Sequence, residues 1–182
     1  PSGLILFAFD GTGNSATPWS GSSVSNVWKI HQAYDEKLNG NAFYITGIGT
    51  TDVNMNYKGN IANGDGFDQR VALGFKFLDG FIDTNARSDV VDIDVVGFSR
   101  GAAEARVWLN QLVAKMHNGR YTSGNSGKTR CLNLRFEGLF DTVSHLGYLN
   151  GDEDKHDFAI PSLVRYAAHA VAVNEHRGGL SN

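Results

Sequence analysis

The stretch VVDIDVVGFSRGAAEARVWL, Val90 to Leu109, decides the fold. Val90 to Phe98 is rich in Val and Ile, and a β-branched run of that length reads as a strand. Gly97-Phe98-Ser99-Arg100-Gly101 then fits G-x-S-x-G, and a helical pattern continues to about His117. A strand that turns on a serine directly into a helix is the setting of a nucleophile elbow, which exposes the hydroxyl at the strand tip. So tight a turn would make side chains two residues either side of the serine collide, and Gly97 and Gly101 have none. Ala102 and Ala103 let the helix pack close to the sheet. The same pentapeptide would suit a plain turn with Ser99 as N-cap. The strong strand before it and the strong helix after it favour the elbow. Ser99 then sits at a helix N-terminus, where developing negative charge is stabilised.

Upstream, Leu4 to Phe9 is a continuous apolar run that stops at Asp10-Gly11, as in a parallel strand buried on both faces. Residues 11–22 are a loop rich in Gly, Ser, Thr and Pro. Val27, Ile30, His31, Tyr34 and Leu38 recur at helical spacing, with Ser22 or Ser23 as cap. A strand is expected from Phe43 to Ile48, then a polar glycine-rich excursion over 49–66. The next helix carries Phe67, Val71, Phe75, Leu78 and Ile82 on one face. Downstream, a polar loop from Asn118 to Arg130 leads to a strand at Leu132 to Phe140. A charged loop from Asp152 to Asp157 precedes a helix expected from Pro161 to about Val173. Strands alternating with helices predict an α/β fold, α/β-hydrolase-like, with a mostly parallel central sheet and helices on both faces. No linker divides residues 1–182, so a single domain is expected.

With 182 residues, 41% hydrophobic and 19% charged, the chain is long enough and apolar enough to bury a core. Its net charge of −3 and the lack of a basic run interleaved with aromatics argue against nucleic acid as a partner. Cys131 is the only cysteine, which excludes an internal disulfide and a thiolate zinc site. The 22 glycines follow no period, so repeat architectures are excluded. No apolar stretch reaches the ~18 residues of a spanning helix, and the chain opens on a strand rather than a signal peptide.

A serine at an elbow needs a base, an acid that orients the base, and an oxyanion hole. Asp141 comes directly after the strand ending Gly138-Leu139-Phe140, at the carboxyl edge where ligands of parallel sheets bind, and is the acid candidate. The oxyanion donors expected are the N–H of Arg100 and that of Gly11 or Thr12, in the loop after the first strand. That loop, Gly11 to Ala16, also spells G-x-G-x-x-A, but a dinucleotide fingerprint opens directly into a helix. Pro18, Ser20, Gly21 and Ser22 interrupt any such helix. For the base there are six histidines. His31 and His117 read as structural or exposed, His145 as close in sequence to the acid, and His156 as solvated. His169 is favoured over His176 by position, and a packed, non-catalytic His169 is an equal reading. Clustered oxygens from Asn63 to Asp68 lack the spacing of a calcium loop, so no metal or cofactor is expected.

FDGTGN (Phe9 to Asn14), YITGIGT (Tyr44 to Thr50), DVVGFSRGAAEAR (Asp94 to Arg106), GLFDTV (Gly138 to Val143) and HAVAVNEHR (His169 to Arg177) occur in one order. Together they resemble the catalytic domain of the type VI secretion phospholipase effectors. The resemblance spans almost the whole chain. It implies Ser99 as nucleophile, Asp141 as acid and Asp10-Gly11-Thr12 beside the oxyanion site. It also implies a phospholipid or other ester substrate at a target-cell membrane surface, an antibacterial role, an immunity protein, and export through a secretion-apparatus component. The family's histidine lies in a later segment of the type GVHSDVGG, which this sequence lacks. That histidine is therefore expected beyond Asn182, and the chain reads as a fragment without the C-terminal part. Two other readings stay open. One is a non-lipid esterase or thioesterase; the other is a noncatalytic binding module with an incomplete triad.

Overall fold

The computed structural model describes residues 3–17, 23–38, 41–50, 66–85, 89–143 and 156–172. Chain order is β1 (Gly3–Phe9), α1 (Asn26–Leu38), β2 (Ala42–Ile45), α2 (Phe67–Thr84), β3 (Val90–Phe98), α3 (Arg100–Lys115), β4 (Arg120–Thr122), β5 (Thr129–Phe140) and β6 (Tyr166–Ala170). The sheet runs β2-β1-β3-β5, all parallel. The far edge of β5 is shared between antiparallel β4 and parallel β6. This is the α/β architecture expected, with β3, which Ser99 directly follows, at the centre.

Period-2 alternation sorts the strands between two cores. Ile5, Phe7 and Phe9 of β1 and Ile93 and Val95 of β3 bury against α2 and α3, around a fully buried Trp108. Leu6, Ala8 and Val96 bury against Val27, Ile30 and Tyr34 of α1 on the other face. A bulge governs how β5 joins these faces. Ile93 pairs with Leu134 but Asp94 with Phe136, so Arg135 is an extra residue on β5. Leu134 faces α3, and beyond the bulge Phe136 and Phe140 face α1 while Leu139 returns to α3. Arg135 itself turns onto the buried Asp94 carboxylate, Nε–Oδ1 3.2 Å.

Three local expectations are corrected. The cap of α1 is Ser25, whose hydroxyl accepts from Trp28 N–H at 3.0 Å, rather than Ser22 or Ser23. The loop from Asn118 to Arg130 contains a short hairpin, because Arg120–Thr122 pairs with Thr129–Cys131. The helix expected from Pro161 is replaced by strand β6. Its Ala-rich sequence would favour a helix in isolation, but the open edge of β5 offers a full ladder from Phe136 to Phe140. All five β6 residues remain exposed, so backbone pairing rather than burial holds them. Part of the segment weighed for calcium, residues 63–65, lies outside the described residues; Gly66 takes φ 96° and opens α2. Among the described residues no helix is long and apolar enough to cross a membrane.

Candidate active site

Ser99 has φ 55° and ψ −122°, a region that side chains other than glycine rarely enter. Holding it there costs about 1–3 kcal/mol, which the surroundings must supply. They do so from both sides: Ser99 N–H donates to Phe140 O at 2.8 Å, and Ser99 O accepts from Val143 N–H at 3.1 Å. The last residues of β5 therefore lie directly beside the elbow. Neither Gly97 nor Gly101 has room for a side chain. A Cβ on Gly97 would stand 2.6 Å from Ala102 Cα, and one on Gly101 would stand 2.4 Å from both Phe9 O and Asp10 O. Gly101 thus lets α3 begin against the end of β1.

Asp141 comes after β5 with φ 44°, a second strained residue at the same edge. Its N–H donates to Ala170 O at 2.8 Å, and its Oδ1 accepts the Ala172 N–H. A cavity of about 330 Å³ opens here between the start of α1 and the strand tips. Val24, Val27, Phe98 and Phe140 give it apolar walls, and Ser23, Lys29 and Asp141 give it polar ones.

The loop after β1 is pinned by the side chain of Asp10, for which the sequence held no separate expectation. Its carboxylate is buried and accepts from Gly11 N–H at 2.8 Å, Tyr44 OH at 2.5 Å and the Ser25 hydroxyl. Gly13 N–H goes to Ile48 O and Asn14 N–H to Gly11 O. Of the two donors expected, Gly11 is therefore already committed. Within Gly11–Asn14 that leaves the Thr12 amide, and the buried Thr12 Oγ1 has no partner either. At the elbow, α3 bonding begins with Ala102 and Ala103 donating to Ser99 O, and the Arg100 amide directly follows that carbonyl.

His169 pairs with Leu139, which puts it on the α3 face of the sheet. There the Arg106 guanidinium lies 3.4 Å from Nδ1 and the Thr142 hydroxyl 3.1 Å from Nε2. Its hydrogen bonds thus run to the neighbour of Asp141 rather than to Asp141 or Ser99. Burial and the Arg106 charge lower its pKa, and Asp141 partly offsets them. His31 stacks on Trp28 within α1, and His117 is exposed beyond the far end of α3. His156, expected to be solvated, packs against Phe67 and lies 3.7 Å from Asp68. His145, His176 and the segment that runs to Asn182, beyond which the family's histidine is expected, lie outside the described residues.

Two buried carboxyls flank the elbow, and no sequence pattern singled out either. Glu104, one turn beyond Arg100, is fully buried with neither oxygen hydrogen-bonded. Burial pushes its carboxyl well above the usual range, while the Arg70 and Arg100 charges pull it back. Glu137 on β5 is equally buried and unbonded; burial raises its pKa to about 7 against the pull of Arg106. Among the described residues no cluster of three His, Cys, Asp or Glu could hold a metal ion.

A family model described as the type VI secretion phospholipase effector Tle1-like catalytic domain matches residues 4–118. The match takes in β1, the Asp10–Asn14 loop, β3, the Ser99 elbow and α3. The chain belongs to the Tle1-like phospholipase effector family. No curated protein matches the sequence. Among solved structures, the crystal structure of an uncharacterized protein from Pseudomonas aeruginosa is similar, with a TM-score of 0.59 and 19% identity. The likeness covers 97% of this chain and 36% of that one, so this member of the Tle1-like family spans about a third of that protein and shares its fold.

Proposed function

We propose that this Tle1-like domain is a serine-dependent lipolytic carboxylic-ester hydrolase, a phospholipase that acts as an antibacterial type VI secretion effector. The observation that carries the reading is Ser99, held at positive φ where the central strand meets α3, inside the matched region. Ser99 Oγ attacks the ester carbonyl carbon, and its proton passes to a histidine. The oxyanion rests on the N–H groups of Arg100 and Thr12. The histidine returns the proton to the departing lysolipid, and water then releases the fatty acid from Ser99. Asp141 orients and stabilises the charged histidine. His169, in electrostatic contact with Asp141, is the described candidate, and a histidine beyond Asn182 is the other. Phospholipid binds across the cavity beside Phe98 and Phe140, and an immunity protein and a secretion-apparatus component are the proposed protein partners.

A noncatalytic module is the second reading, because His169 hydrogen-bonds to Thr142 and Arg106. A fluorophosphonate probe separates the two, since only an activated serine reacts. Labelling of the full-length protein that Ser99→Ala abolishes supports the hydrolase. A folded wild-type protein that resists labelling refutes it.

A further inference from the structure

Arg70 is a fully buried cation at the start of α2, and the mechanism above does not use it. Its guanidinium spends its donors on backbone carbonyls. Nε donates to Thr46 O at 2.6 Å, Nη2 to Gly47 O at 2.8 Å, and Nη1 to Gly66 O at 3.2 Å. Gly47 O also accepts the Thr50 hydroxyl at 2.7 Å.

The segment so fixed is the bed on which the oxyanion loop lies. Gly47 N–H donates to Asn14 O at 3.0 Å, and Ile48 O accepts from Gly13 N–H at 2.8 Å. The contact is backbone on backbone: a Cβ at Gly47 would fall 1.7 Å from Gly11 O. Any shift of Thr46–Ile48 therefore displaces Gly11–Asn14 by a similar distance. Glu104 of α3, the helix that starts at the elbow, acts on Arg70 only electrostatically, with no hydrogen bond from either of its oxygens.

We infer that Arg70 is a positioning residue of the oxyanion hole, holding Thr46–Gly47 so that the Thr12 N–H meets the transition-state oxygen. The inference rests on Ser99 being the nucleophile. A lysine at this position keeps the charge but offers no planar fork for carbonyls in different directions.

The test uses the full-length protein, a short-chain nitrophenyl ester and a fluorophosphonate whose adduct mimics the tetrahedral intermediate. Arg70→Lys should lower kcat and the phosphonylation rate together by about 10- to 100-fold, with KM within about two-fold, because a displacement near 1 Å suffices for such a loss. Thr50→Val, which removes the hydroxyl donor to Gly47 O and keeps the weaker Thr50 N–H at 3.4 Å, should lower both by about three- to ten-fold. It carries the test should Arg70→Lys fail to fold. Wild-type rates in the folded variants overturn the positioning role while leaving Ser99 in place. A rise in KM with kcat unchanged also overturns it, since that reports on substrate binding. If wild-type protein is not labelled at all, the reading of Ser99 falls, and this inference with it.

Discussion

Replacing Glu137 by Gln should stabilise the protein, and increasingly so as the pH rises. The carboxyl is fully buried between β5 and α3, neither oxygen has a hydrogen bond, and burial raises its pKa from 4.5 to about 7. The folded state thus holds this proton more tightly than the unfolded chain does. Its contribution is fully present below pH 4.5 and is lost as pH rises through about 7. A gap of about 2.5 pKa units corresponds to about 3 kcal/mol, of which about 2–3 kcal/mol falls between pH 5 and pH 8. Gln matches the protonated acid in shape and cannot ionise, so it removes this slope. Urea unfolding of both proteins at a series of pH values from 5 to 8 measures it directly. The variant should gain little near pH 5 and about 2–3 kcal/mol near pH 8. A constant difference across the series, or a variant weaker at pH 8, would mean that Glu137 is ionised in place, with Arg106 as its true counter-ion.

In the full-length protein, Ser99→Ala should fold normally and lose about 10⁶ in kcat on phospholipid, with Asp141→Asn losing about 10⁴. Appreciable activity in folded Ser99→Ala would reduce Ser99 to a turn residue. With His169 as base, the acid limb of kcat/KM should fall below the ordinary 6.5, because burial and Arg106 favour the neutral ring and activity disappears as pH drops through its pKa. An unchanged limb in His169→Gln would assign the base to another histidine. Gly101→Ala sets a Cβ 2.4 Å from two carbonyl oxygens at the end of β1. It should cost about 3 kcal/mol or more in thermal or urea unfolding, and a loss under 1 kcal/mol would show that α3 can start farther from the sheet.

The sequence by itself determined whatever rests on neighbours along the chain. Val90–Phe98, the serine turn and α3 were legible because a β-branched run, two glycines and a helical repeat each impose a local conformation. β1 and the apolar face of α2 were legible for the same reason. Asp141 could be placed at the carboxyl edge because the residue after a parallel strand must emerge there. Tertiary structure decided the rest. The Tyr166–Ala170 segment became a strand because β5 had an open edge, and no local preference encodes the presence of a distant edge. The bulge at Arg135 set which side chains of β5 meet α1 and which meet α3. The pairing of His169 with Leu139 turned the ring toward Arg106. The Gly11 N–H was taken up by its own neighbour, Asp10, once Tyr44 and Ser25 had fixed that carboxylate. Arg70 carried no signal, since an arginine in a helix's first turn ordinarily faces water. Its meaning comes from three carbonyls, two of them over 20 residues away in sequence, and hydrogen bonds across such distances exist only after the sheet has formed.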